Sequence, residues 1–100
     1  MRERDIEKYL SRRVKELGGE CRKVQWIGRR GAPDRLVMLP DSWFTRDECL
    51  SFTATIWVEL KAPGVKPEAY QVREHNRMRA MGQRVVVIDS IEGVEELLNG

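Results

Sequence analysis

One hundred residues, 41% hydrophobic and 34% charged, describe one domain of ordinary globular composition spanning 1–100, with room for a single modest core. No apolar run approaches the roughly 18 residues of a membrane span, and Met1-Arg2-Glu3-Arg4 leads into charge rather than a signal segment. Two cysteines and one histidine exclude a structural zinc site and a disulfide scaffold, so a soluble protein of a reducing cytoplasm is expected, and the net charge of +2 hides blocks of +5 (1–40), −3 (41–60), +4 (61–84) and −4 (85–100).

In chain order, Ile6, Leu10, Val14 and Leu17 recur at the spacing of one helical stripe. This predicts an amphipathic helix from about Glu3 to Leu17, closed by Gly18-Gly19. Residues 20–27 read as a strand carrying Trp26, Gly28 to Pro33 as a loop, and Arg35 to Leu39 as a second strand stopped by Pro40-Asp41. Segment 41–54 has no clean period. Thr55 to Lys61 alternates as a half-buried strand, with Ile56, Val58 and Leu60 on one face and Trp57, Glu59 and Lys61 on the other. Pro67 can open a helix to about Met81, closed by Gly82, whose Gln71, His75 and Met78 share a face directed at the sheet. Gln83 to Asp89 has the near-continuous apolar pattern of a strand buried on both faces. Ser90 to Leu98 reads as a final helix capped by Asp89 or Ser90. The order αβββαβα indicates an α/β fold, one mixed sheet with helices packed on it.

Three charges converge on that sheet. Asp34 opens one strand, and Glu59 and Lys61, two residues apart, project from the same face of another. Paired carboxylates can hold Mg²⁺, which polarises a phosphate and lowers the pKa of a water, while an ammonium group orients the water or neutralises developing charge. The competing reading is a surface Glu–Lys pair beside a turn aspartate. Arg29, Arg30 and Arg35 surround the Asp34 loop and serve either as phosphate contacts or as a solvated charged loop. His75 either packs or orients a neighbour, or contacts phosphate or metal-bound water. Trp26 and Trp57 fit sheet-face packing better than base stacking.

Gly31-Ala32-Pro33-Asp34-Arg35, then Val58-Glu59-Leu60-Lys61-Ala62-Pro63-Gly64, then Gln71 and His75 on a helix, together resemble the VRR-NUC family of the PD-(D/E)xK nuclease superfamily. The resemblance implies a restriction-endonuclease-like αβββαβ core and structure-selective DNA cleavage dependent on Mg²⁺ or Mn²⁺, with no organic cofactor and no membrane. Its substrate would be branched DNA such as a four-way (Holliday) junction. Asp34 and Glu59 would be the metal carboxylates, joined by the backbone carbonyl of Leu60. Lys61 would be the catalytic lysine, and Gln71 would touch both site and nucleic acid. A glutamate on the first helix would assist, with Glu7 fitting best and Glu3 as its competitor.

Two symmetric nicks need two sites, so a homodimer is expected, acting in the cytoplasm of a bacterial or virus-infected cell. Alternatives are a nuclease for flaps, other branches or ends, and a non-catalytic nucleic-acid-binding domain of the same fold. Trp43, Phe44, Leu50 and Phe52 give segment 41–54 three possible roles: a dimer contact, packing on its own subunit, or a wedge into an opened junction.

Overall fold

A computed structural model describes residues 1–40 and 55–99. Helix α1 (Glu3–Glu16) buries Ile6, Leu10 and Val14 completely. The Arg2 backbone N–H donates to the Asp5 carboxylate at 2.8 Å, which helps to close its first turn. After α1 the chain reverses into β1 (Glu20–Lys23). A Cβ at Gly19 would lie 2.2 Å from the Met38 carbonyl oxygen, so glycine is what lets the end of the helix lie against the sheet.

Three more strands, β2 (Arg35–Met38), β3 (Thr55–Leu60) and β4 (Val85–Ile88), complete a sheet of order β1-β2-β3-β4. The pairs β1–β2 and β2–β3 are antiparallel, and β4 joins β3 in parallel. Helix α2 (Ala69–Ala80) makes the crossover that a parallel pair requires, and α3 (Ile91–Asn99) ends the described chain. This is the mixed α/β architecture expected from the sequence.

Alternation along the strands divides the sheet into two environments. Val37, Ile56, Val58, Leu60 and Ile88 face Ile6, Leu10 and Val14 of α1 and Val94, Leu97 and Leu98 of α3. Burying each such side chain stabilises the fold by about 1.5–3 kcal/mol, so among the described residues this layer supplies most of the apolar driving force. Helix α2 covers the opposite face with only Met78 and His75 and the carboxylate-bearing Glu74 buried. That face is polar. The Arg79 guanidinium fastens α2 to β4 by donating to the Val85 carbonyl oxygen at 2.9 and 3.2 Å.

Three expectations are corrected, and one choice between alternatives is settled. Strand β4 is not buried on both faces: it is the edge of the described sheet, and Val87 remains 37% exposed. Trp26 lies beyond the end of β1, which stops at Lys23 although Val24 N–H still donates to the Asp34 carbonyl. Helix α2 begins after Glu68, whose backbone N–H is accepted by the Gln71 side chain, rather than at Pro67. Of the two proposed caps for α3, Ser90 takes the role, its Oγ accepting from Gly93 N–H at 2.9 Å. The roles considered for 41–54 lie outside the described residues.

Candidate active site

The β2–β3 register ends with Arg35 opposite Val58. One step further, Asp34 falls opposite Glu59, on the side of the sheet that α2 covers. Lys61 follows on the same face, held in the ladder by its backbone N–H donating to the Ile88 carbonyl at 2.9 Å. The three charges picked out in the sequence therefore share one surface.

Glu59 is the unusual member, since it is only 8% exposed. Burial, reinforced by the charges of Asp34 and Glu3 and opposed by Lys61 and Arg35, pushes its carboxyl up to about 7. Across from it on α2, His75 is 1% exposed with Nε2 3.4 Å from Glu59 Oε1, and that nitrogen has no hydrogen-bond partner among the described residues. Burial, followed by the nearby charges of Arg79 and Lys61, holds the imidazole below its ordinary pKa, so it stands beside Glu59 as a neutral ring.

Asp34 keeps its carboxylate half exposed and accepts from Arg35 NH1 at 3.0 Å. Arg35 points to the other side of the sheet, where NH2 meets the Glu7 carboxylate at 2.5 Å. With two acidic partners and little exposure, Arg35 orders the Asp34 loop rather than offering a free cation to phosphate. Glu7 is thereby placed on Arg35, whereas Glu3 is the helix carboxylate whose charge reaches Glu59. Gln71 is half-buried with its amide oxygen committed to the start of α2. Arg30 is exposed and lies over the Tyr70 ring at 3.9 Å, and Arg29 leans on Glu74 at 3.5 Å.

The donor set suits a hard divalent cation. Two carboxylates of adjacent strands share one face, and burial, with the charge of the other nearby, raises one of them to about 7. Among the described residues no group of three or more His, Cys, Asp or Glu side chains forms a ready cage. A Mg²⁺ ion needs no such cage, since it commonly takes one or two carboxylates and completes its shell with water and substrate phosphate.

A solved structure described as a VRR_NUC domain superposes with a TM-score of 0.77 at 37% sequence identity, covering 97% of this chain and 94% of that one. The chain belongs to the VRR-NUC family. A curated relative, "Putative nuclease p44" of Acyrthosiphon pisum secondary endosymbiont phage 1, is 47% identical over 90 residues, 90% of this chain and 85% of its own. No protein-family model matches the sequence.

Within this VRR-NUC domain, sequence reasoning passed over Glu74. Its side chain is 6% exposed and sits between Arg29 and Arg77, 3.5 and 3.4 Å away. A signal was present. Gln71, Glu74, His75 and Met78 complete an i, i+3, i+4, i+7 stripe, so a charged residue falls within the face that packs on the sheet.

Proposed function

We infer that this VRR-NUC domain is a divalent-metal-dependent, structure-selective DNA endonuclease that works as a homodimer on four-way junctions. The observation that carries the reading is the buried Glu59 carboxyl, raised to about 7 beside Asp34 and Lys61 on one sheet face. Burying a carboxyl next to a second one costs stability, and a domain that only bound DNA would have no use for it. Family membership supports the same chemistry.

Asp34 and Glu59, with the Leu60 backbone carbonyl, would hold Mg²⁺ or Mn²⁺. When bound, such an ion polarises the phosphate and makes water a better nucleophile. The Lys61 ammonium orients the attacking water and offsets charge that builds on the phosphate oxygens in the transition state. His75 presents a neutral ring to Glu59 and keeps bulk water from that side of the carboxyl. Arg29 and Arg30, on the loop before Asp34, contact backbone phosphates and add affinity without reading sequence.

The experiment compares labelled four-way junction, flap, duplex and single-stranded DNA in Mg²⁺, Mn²⁺ and EDTA. Junction cleavage with either metal and none in EDTA is expected. Flap or end cleavage would move the substrate to another branch structure, and DNA binding without cleavage would leave a non-catalytic domain. Lys61→Ala should fold and bind junctions nearly normally while cleavage falls by roughly 10²–10³, the usual loss when one preorganised electrostatic group is removed. Near-normal cleavage by that variant would refute the site.

A further inference from the structure

On the face of β3 that carries Glu59 lies a cavity of whose wall the chemistry above uses only Arg29. Trp26 and Trp57 border it, their ring centroids 5.2 Å apart and their planes inclined at 48°. Both indole N–H groups are committed elsewhere: Trp26 donates to the Pro33 carbonyl at 2.9 Å and Trp57 to Gln83 Oε1 at 3.0 Å. Their orientations are therefore fixed, and what they offer to the cavity is ring surface. The space is about 170 Å³, with Met78, Arg29 and Glu74 completing much of its wall. This is well below the roughly 300–1,000 Å³ of a typical small-molecule site, and suits one flat ring.

The wall chemistry narrows the occupant. Aromatic faces and a thioether favour a flat, polarisable group. The Glu74 carboxylate, 3.5 Å from Arg29 and 3.4 Å from Arg77, is held within the wall with lone pairs left to accept, and the half-exposed Arg29 brings positive charge to the rim. A nucleobase satisfies all three, with a π face for the indoles, an exocyclic amine for the carboxylate and an attached phosphate for the guanidinium. Trp57 precedes Glu59 by two residues, roughly 7 Å along the strand. A base seated there belongs to a nucleotide next to the cleaved phosphate.

We propose that this cavity receives one unpaired, amine-bearing base of the DNA substrate, stacked on Trp57 and Trp26, with its amine donating to Glu74. The proposal rests on the endonuclease reading and deepens it. Bases within duplex arms are stacked and paired, whereas a branch point supplies a base that can leave the stack at little cost. Preference for branched DNA then has a physical source one nucleotide from the chemistry.

The test uses the wild-type protein and a series of four-way junctions and flaps, each with a single abasic nucleotide near the cleaved phosphate, bound in EDTA and followed by fluorescence anisotropy. One position should weaken binding roughly 5- to 150-fold, the range for loss of a base–aromatic stack. Thymine at that position, which lacks the amine, should cause a smaller loss. In Trp57→Leu, shown to be folded by its melting transition, the abasic penalty at that position should largely vanish.

A uniform profile across all positions in the wild-type protein overturns the proposal without recourse to any variant. Metal-dependent cleavage of the intact DNAs, measured in parallel, separates the two readings. Normal cleavage with a uniform profile removes only the base pocket. A single-position penalty without cleavage removes the endonuclease and leaves the pocket standing, and absence of DNA binding removes both. A uniform profile together with altered self-association of Trp57→Leu would assign the cavity to a second copy of the chain, which also overturns the proposal.

Discussion

Gly31 sets the position of the site without having a side chain. Its φ is +89°, and a Cβ there would lie 2.9 Å from the Tyr70 carbonyl oxygen and 3.1 Å from the Tyr70 ring. The loop that carries Arg29 and Arg30 is thus seated on the first turn of α2, three residues before Asp34. Gly31→Ala should lower stability by about 1–3 kcal/mol, the cost of left-handed backbone at a residue with a Cβ, and urea denaturation would measure it. An unchanged midpoint would show that the loop relaxes freely. The two carboxylates make a separate prediction. Asp34→Asn and Glu59→Gln each keep side-chain volume but remove an anionic ligand, so Mn²⁺ affinity in calorimetry should fall by roughly tenfold or more in each. The sequence made Asp34, Glu59 and Lys61 legible because strand alternation places Glu59 and Lys61 on one face and a motif spacing marks Asp34. It could not separate the three arginines, since whether a guanidinium meets a carboxylate or solvent depends on the facing element. Only the packed structure puts Arg35 on Glu7.

Helices α1 and α3, which lie on the apolar face, are joined at their edge by Glu95. Its carboxylate accepts from Arg13 Nε at 2.8 Å, from the Tyr9 hydroxyl and from the Asn99 amide at 2.9 Å. Those bonds, the Arg13 pair foremost, hold its carboxyl down at about 2 against an ordinary 4.5. Because the folded-state value is depressed, this contribution to stability is present above about pH 4.5 and is lost as the pH falls toward 2. Melting curves should therefore show Glu95→Gln destabilised at neutral pH, with a shallower fall in Tm than the wild type between pH 4.5 and 2. Parallel curves would show that the cluster is solvated and adds nothing. The elements themselves were largely readable: the stripe Ile6, Leu10, Val14 and the alternation through β3 each state a period and a buried face. Position in the sheet was not. The run Val85-Val86-Val87-Ile88 reads as an interior strand from its own composition, yet nothing within a strand records whether another strand pairs on its far side.

At the scale of the whole molecule, the fold separates two tasks onto two faces of one sheet. The α1–α3 side is a continuous aliphatic layer that holds the strands in register. Among the described residues the α2 side is covered by that one helix, which keeps Glu59, His75 and Glu74 buried next to the half-exposed Asp34. Such a design gives each chain one set of Asp34, Glu59 and Lys61. A four-way junction resolved by paired nicks presents two equivalent phosphates related by a twofold axis, and one site cannot meet both at once. Two copies with isologous contact can. Sedimentation should accordingly give twice the mass of the chain, and a junction should lose both strands within one binding event. Mixing provides the sharper measurement. When wild-type protein is equilibrated with excess Lys61→Ala, most wild-type chains should pair with an inactive partner, so the products should shift from paired nicks to a single nick per junction. If the two chains act independently, the variant will only compete for DNA, and the ratio of single to paired nicks will follow from binding alone. A product ratio insensitive to the order of mixing and to prior equilibration of the proteins would count against the dimer.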